Sequence, residues 1–97
     1  MDKMVMVVYN EALDMEVMEA LENCALRNFT KILGAFGSGC ASGFHLGTDV
    51  WPGRNNILYA ACTEPQSRQL LSCVRELRKK ISHEGIKAFV LPIEAAT

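Results

Sequence analysis

The residues best suited to chemistry lie in one glycine-rich segment, residues 37–56, which reads GSGCASGFHLGTDVWPGRNN. It holds five of the seven glycines, the only tryptophan and one of the two histidines. Cys40 and His45 in this segment could both bind a soft or borderline metal ion such as copper or zinc. Two ligands do not complete a tetrahedral site, so a metal site would need a third residue or further chains. The alternative is that Cys40 is an ordinary loop thiol and that His45 only makes hydrogen bonds.

The second candidate in this segment is the sequence Trp51-Pro52-Gly53-Arg54, in which Pro52 and Gly53 suit the centre of a type II turn. Trp51 and Arg54 are typical anchors for a ligand or a partner protein, so this turn could present them to one. Alternatively, Trp51 packs back onto its own subunit or onto a neighbour. Connections of this length are mostly functional or disordered, and we expect mobility between Gly39 and Gly53 in the absence of ligand.

Catalysis has little support in the sequence. The glycines are not followed by Lys-Ser or Lys-Thr, which excludes a Walker phosphate loop. The Ser, His, Asp and Cys residues show no spacing typical of a nucleophilic triad or dyad. We therefore expect a binding protein and not an enzyme.

Four apolar runs and two helical patterns flank the glycine-rich segment. The runs predict strands because they are short and rich in Val, Ile and Leu; they cover Lys3–Tyr9, Phe29–Phe36, Ile57–Cys62 and Ile86–Ile93. Leu13–Leu26 predicts the first helix, with Asp14 as its N-cap. Thr63 and Gln66 have the spacing of a capping box and open the second helix, for which Gly85 is the predicted C-cap.

The resulting order, β-α-β-β-α-β, predicts a single α+β domain over residues 1–97 with a ferredoxin-like fold. In that fold a four-stranded antiparallel sheet carries both helices on one face. The first, third and fourth strands are apolar on both faces, so the helix-free face also needs a cover. Further copies of the same chain are the simplest cover.

Composition excludes several classes of function. A formal net charge of −1 gives no electrostatic attraction to nucleic acid or to an acidic membrane. No apolar run has the length of a membrane span, and the first residues do not resemble a signal peptide, so we expect a cytoplasmic protein that is not embedded in a membrane. Cys24, Cys62 and Cys73 lie in apolar contexts and are expected to be reduced and buried.

Several parts of the chain resemble the PII signalling proteins, the nitrogen-regulatory family, and their small PII-like relatives. Ala35-Phe36-Gly37 is similar to the Gly-Phe-Gly at the base of that family's long loop, and the ending KAFVLPIE is similar to its KIFVLPVE-type strand. Weaker similarity lies in Leu13-Asp14 and Phe29-Thr30. The resemblance spans nearly the whole chain, and its ending is the most specific part.

The resemblance implies a homotrimer whose sheets face the threefold axis, with a small effector in the clefts between subunits. It implies a regulatory protein that signals through its glycine-rich loop to a target such as a transporter or an enzyme. An adenine nucleotide or a metal ion is the candidate ligand. The residues that the resemblance places around the cleft are Thr30, Phe36, Gly37, Ser38, Gly85 and Lys87.

The chain also departs from the PII pattern. Gly39 stands near the position of a family glutamine, and the segment 37–56 lacks the modifiable tyrosine of the family loop, so uridylylation is not expected. The family's C-terminal arginine segment has no counterpart here, which weakens the expectation of ATP binding. The fold also resembles the divalent-cation-tolerance trimers (CutA), and the alternative function is therefore a metal-binding trimer that uses Cys40 and His45.

Overall fold

The computed structural model describes residues 2–37, 54–81 and 85–97 of the chain. Four antiparallel strands form one sheet in the order β2-β3-β1-β4, and two helices accompany it. The strands are β1 (Lys3–Asn10), β2 (Thr30–Phe36), β3 (Arg54–Cys62) and β4 (Ile86–Pro92), and the helices are α1 (Asp14–Asn23) and α2 (Glu64–Lys80). A short 3-10 turn, Glu11–Leu13, precedes α1. The predicted ferredoxin-like fold is confirmed, while the trimer stays a prediction.

One face of the sheet forms the core with both helices. Alternate residues of the strands point toward the helices because successive side chains of a strand lie on opposite faces. From the two central strands these are Val5, Val7 and Tyr9, and Leu58, Ala60 and Cys62, each at most 2% exposed. The helices contribute the apolar stripes that their spacing predicts, with Val17 and Leu21 from α1 and Leu70 and Val74 from α2. Both helices therefore cover this face of the sheet.

The opposite face is also apolar, and no described element covers it. In the register of the sheet Met6 lies between Tyr59 on β3 and Phe89 on β4. Phe89 and Leu91 remain 42% exposed in the single chain. An apolar face of this kind is typical of an interaction surface. We call it the helix-free face below.

The predicted N-terminal cap of the second helix is confirmed, whereas the predicted N-cap of the first helix and the predicted C-cap of the second are wrong. Thr63 and Gln66 form the predicted capping box. The backbone amide of Gln66 donates to Thr63 Oγ1, and the backbone amide of Thr63 donates to Gln66 Oε1. Asp14 does not cap α1; it is the first helical residue, because the side chain of Asn10 caps the preceding 3-10 turn. Gly85 does not cap α2, whose C-cap is Ile81; Gly85 instead enters β4 with a φ of +84°.

Several element boundaries also differ from the sequence prediction; β1, for example, extends to Asn10 and β4 ends at Pro92. The third strand begins at Arg54 and not at Ile57, because Asn55 and Asn56 pair with Asn10 and Tyr9 on β1. Polar residues can extend a strand when the neighbouring strand satisfies their backbone groups. The first helix ends three residues before Leu26, and β2 begins one residue later than predicted.

The C-terminus of α1 carries local backbone strain. The Leu26 amide donates to the Leu21 carbonyl and the Ala25 amide to the Glu22 carbonyl, which is the Schellman arrangement. Its left-handed position is held by Ala25, with a φ of +56°. Glycine adopts this conformation without the penalty that a β-carbon brings.

Ala25→Gly is therefore expected to stabilise the protein by roughly 0.5–1 kcal/mol, after allowing for the greater freedom of glycine in the unfolded chain. Urea unfolding of the two proteins would measure the difference. Ala20→Gly, inside the same helix, is the matched control and should destabilise by about 1 kcal/mol. A destabilising effect of Ala25→Gly would contradict the strain.

Candidate functional site

The predicted ligand-binding residues gather mainly at one end of the sheet. Because all strand pairs are antiparallel, β1 and β2 end where β3 and β4 begin. Phe36 pairs with Arg54, Asn10 with Asn55, and Tyr9 with Ile86. We call this region the upper end of the sheet; the residues of the site there are Phe36, Gly37, Arg54, Gly85 and Lys87.

Phe36 and Arg54 form an exposed pair at the edge of the upper end. They lie directly opposite each other in the register, so their side chains share one face of the sheet. Phe36 is 87% exposed, which is unusual for a large aromatic side chain. Its position follows a β-bulge between Ile32 and Ala35, where Gly34 has a φ of +73°. An exposed ring and a guanidinium side by side can stack on a flat group and bind an anion.

Gly85 and Lys87 lie at the opposite edge of the same end. The Gly85 carbonyl accepts the Asn10 amide at 2.7 Å, which ties the start of β4 to the end of β1. Lys87 is exposed on β4 and pairs with Val8, so it lies on the helix-free side of the strand. Since β4 is an edge strand, Lys87 could bind an anion or simply discourage edge-to-edge aggregation. Three strand spacings, roughly 14 Å, separate this edge from β2.

Gly37 continues from β2 close to β3. A β-carbon built at this position would lie 3.0 Å from Asn55 Nδ2, so any other residue would displace that side chain. Asn55 was not among the predicted site residues, and neither was Asn10. In the sequence, Asn10 follows the first apolar run and Asn55 precedes the third. A search for apolar periodicity does not detect such amides.

Thr30 does not join the upper end within one chain. It pairs with Tyr59, near the middle of the sheet on the edge strand β2. Six residues separate Thr30 from Phe36, about 20 Å of extended strand. Thr30 could therefore contact a ligand at the upper end only from a neighbouring copy of the chain.

A cluster of polar side chains centred on Asp14 lies on the helix side of the sheet, next to the upper end. The Asp14 carboxylate accepts the Tyr9 hydroxyl at 2.6 Å, the Lys31 ammonium at 3.0 Å and the Asn56 amide at 3.4 Å. These hydrogen bonds, that from Tyr9 above all, hold the pKa of Asp14 below its usual value. Burial, together with the bond to Asp14, raises the pKa of Tyr9 to about 12. The cluster thus joins β1, β2, β3 and α1 through one ionised carboxylate.

Removing that carboxylate should cost stability in a pH-dependent way. A lowered folded-state pKa contributes stability that is present above the unfolded pKa, near 3.8, and is lost as the pH falls through the folded value. Asp14→Asn should therefore be less stable than the wild type at about pH 6, with the difference shrinking toward about pH 2.5. Urea unfolding at both pH values measures this. Glu16→Gln, an exposed charge in the same first turn, is the control and should show a smaller difference. An equal loss at both pH values would contradict the role of the charge.

Several predicted residues lie outside the described part of the chain. They are Ser38, Cys40, His45 and Trp51, and with them the expected mobility between Gly39 and Gly53. The metal site at Cys40 and His45 therefore stays a prediction. Within residues 2–37, 54–81 and 85–97, no group of three His, Cys, Asp or Glu side chains is arranged to hold a metal ion.

Solved structures of PII-like proteins share this fold. CPII, a nitrogen regulatory PII-like protein from Thiomonas intermedia K12, was solved with ADP, AMP and acetate; it is 14% identical to this chain with a TM-score of 0.75, over 99% of this chain and 89% of CPII. Its complex with ADP, AMP and bicarbonate gives a TM-score of 0.74 at 15% identity, over 99% and 93% of the two chains. A PII-like signaling protein from Thermus thermophilus gives 0.62 at 20% identity, over 95% and 85%.

The chain has the fold of the PII-like nitrogen regulatory proteins. The resemblance seen in the sequence therefore holds at the level of architecture across nearly the whole chain. No family model matches the sequence, and no curated protein matches it. Among the described residues, no helix combines the length and the apolar character that crossing a bilayer requires.

Proposed function

We propose that this protein is a cytoplasmic, non-enzymatic PII-like regulator that binds an adenine nucleotide between subunits of a homotrimer. The observation that carries the proposal is the grouping of Phe36, Gly37, Arg54, Gly85 and Lys87 at the upper end of the sheet. The same fold is found in CPII, which was solved with ADP and AMP bound.

The placement of the site between subunits follows from two features of the single chain. The helix-free face is apolar and would be covered in an assembly, which supports association through the sheets. Thr30 is about 20 Å of strand away from Phe36, so it can reach the site only from a neighbour. An intersubunit cleft accounts for both features.

The chemistry of the upper end suits a nucleoside diphosphate. The exposed Phe36 ring offers a flat apolar surface for adenine, and base–aromatic stacking is worth about 1–3 kcal/mol per base. Arg54 and Lys87 offer cations for the phosphates, Arg54 through a planar fork and Lys87 as a point charge. By register, Phe36 and Arg54 lie on the helix side of the sheet and Lys87 on the helix-free side, so one ligand could meet both cations only around the end of the sheet or from two subunits.

Signalling completes the proposal. The glycine-rich segment 37–56 begins at Gly37 and ends within β3, so both of its ends lie at the proposed ligand site. A ligand there could bias the conformation of the segment and present Trp51 to a target protein, such as a transporter or an enzyme.

Titration calorimetry with ADP tests the nucleotide part. We expect one ADP per chain, and a rise in melting temperature with ADP concentration because the ligand binds only the folded state. Bicarbonate, AMP, ATP and metal ions titrated in parallel would define the preferred effector. A folded, assembled protein that binds none of the three nucleotides would refute the proposal.

A further inference from the structure

Asn55, near the start of β3, carries a side-chain amide that no other described residue binds. The residue is half-buried, and its amide makes no hydrogen bond within the part of the chain that the structure describes. Its nitrogen and oxygen are not closed off from solvent, so a ligand can reach both. The next residue, Asn56, differs in both respects: it is buried, and its amide donates to the Asp14 carboxylate.

The position of the Asn55 amide is set by its contact with Gly37. Asn55 pairs with Ala35 on β2, and Gly37 follows two residues later, where a β-carbon would lie 3.0 Å from Asn55 Nδ2. Gly37 does not have the positive φ of Gly34 and Gly85, so its backbone would accept a side chain. The space that the glycine leaves is therefore the space that this amide occupies.

Asn55 shares a side of the sheet with Lys87. Asn55 pairs with Asn10 and Lys87 with Val8, and these two partners lie two residues apart on β1. Paired residues, and residues two apart on a strand, carry their side chains on the same face. Asn55 and Lys87 therefore both lie on the helix-free side. Two strand spacings and two residues along a strand separate them, roughly 12 Å between their Cα atoms.

Phe36 and Arg54 lie on the other side of the same end. Arg54 directly precedes Asn55 in β3, and consecutive side chains of a strand lie on opposite faces. The upper end thus presents a ring and a guanidinium on the helix side, and an amide and an ammonium on the helix-free side. Gly37 lies just past the end of β2, where the absence of a side chain leaves a path around the end of the sheet.

We propose that Asn55 is a phosphate-binding residue, which donates from Nδ2 to the diphosphate of ADP on the same side of the sheet as Lys87. The inference rests on the proposed nucleotide binding and adds the direction of the ligand. The base lies on the helix side against Phe36, and the phosphates lie on the helix-free side. An amide nitrogen has two hydrogens to donate, and hydrogen bonds to a charged acceptor are the stronger kind.

Titration of adenosine and ADP into wild type and Asn55→Ala tests this direction. Amide NMR spectra follow the binding, because they measure weak as well as tight complexes. Asn55→Ala should weaken ADP binding by roughly 10- to 100-fold, the effect of losing a hydrogen bond to a charged group. It should leave the affinity for adenosine, which has no phosphate, unchanged. A merely structural role for Asn55 would weaken both ligands equally.

Two further variants test the contact with Gly37 and the side of the sheet. Gly37→Ala should weaken ADP binding in the wild type by displacing the amide, and should have no further effect in Asn55→Ala, where the displaced group is gone. Asn56→Ala is the matched control, since it removes an amide at the next position on the opposite face. It should lower the melting temperature through the lost bond to Asp14 and leave the affinity for ADP unchanged. Circular dichroism melts show whether each variant is folded.

The inference would be overturned by Asn55→Ala that binds ADP as tightly as the wild type, or that loses affinity for ADP and adenosine alike. Additive losses from Gly37→Ala and Asn55→Ala would also contradict it, as would a wild type that binds ADP but no adenosine. Each of these results leaves the proposed binding of ADP in place. Wild type that binds no adenine nucleotide would refute the proposed function and this inference together.

Discussion

Met6→Lys should break the assembly into single chains of 10.7 kDa. Met6 lies at the centre of the helix-free face, opposite Tyr59 and Phe89 on the two neighbouring strands. In the single chain the face is open and a lysine ammonium can remain in water. In an assembly closed through this face, each ammonium would be buried without a partner, at a cost of several kcal/mol per chain. That corresponds to more than about a thousandfold in the association constant.

Light scattering coupled to gel filtration measures the effect. The wild type should have the mass of three chains and Met6→Lys that of one. Met15→Lys is the matched control: it makes the same chemical change at a residue of α1 that is 82% exposed, so it should leave the trimer intact. Wild type that runs as a monomer, or Met6→Lys that remains trimeric, would show that the helix-free face is not the interface.

Lys87→Ala should weaken ADP binding by roughly 10- to 100-fold. A hydrogen bond to a charged group is worth about 1.5–3 kcal/mol, and each 1.4 kcal/mol changes the dissociation constant tenfold. Lys87 is exposed on an edge strand, so its loss should leave the free energy of unfolding nearly unchanged. Its position at the start of β4, beside the turn at Gly85, places the ammonium at the upper end of the sheet.

Calorimetric titration of ADP into both proteins measures the change, with thermal melts as a test of folding. Lys3→Ala is the matched control, because it removes the same charge at the other end of β1, where Lys3 pairs with Cys62 and Pro92. Equal affinities for wild type and Lys87→Ala would leave Lys87 with the simpler role of an edge charge that discourages aggregation.

Most of the fold could be predicted because apolar periodicity is a local property of the sequence. Runs such as Lys3–Tyr9 are too short for a helix and rich in Val, which predicts strands, and the capping box at Thr63 marks the start of α2 from four adjacent residues. The apolar face opposite the helices was predicted for the same reason, from strands that are apolar on both sides. The predicted N-cap of the first helix was wrong. Asp14 has the residue type and position of an N-cap, yet its carboxylate is held by Tyr9 and Lys31.

The candidate site was less accessible to sequence reasoning because it depends on register. Which residues share the upper end is decided by the pairing of Phe36 with Arg54 and of Lys87 with Val8, which no single strand specifies. The distance that separates Thr30 from the other candidates has the same origin. Asn10 and Asn55 were missed since amides at strand ends resemble loop residues.

The central claim is that an adenine nucleotide binds at the upper end of the sheet in a cleft between subunits. Amide NMR spectra of the isotope-labelled protein, recorded with and without ADP, test it most directly. The account predicts that the largest shifts fall on Phe36, Gly37, Arg54 and the segment 85–87, with a further set around Thr30 contributed by the neighbouring subunit. Shifts confined to residues of α1 and α2, or no shifts at saturating ADP, would contradict it.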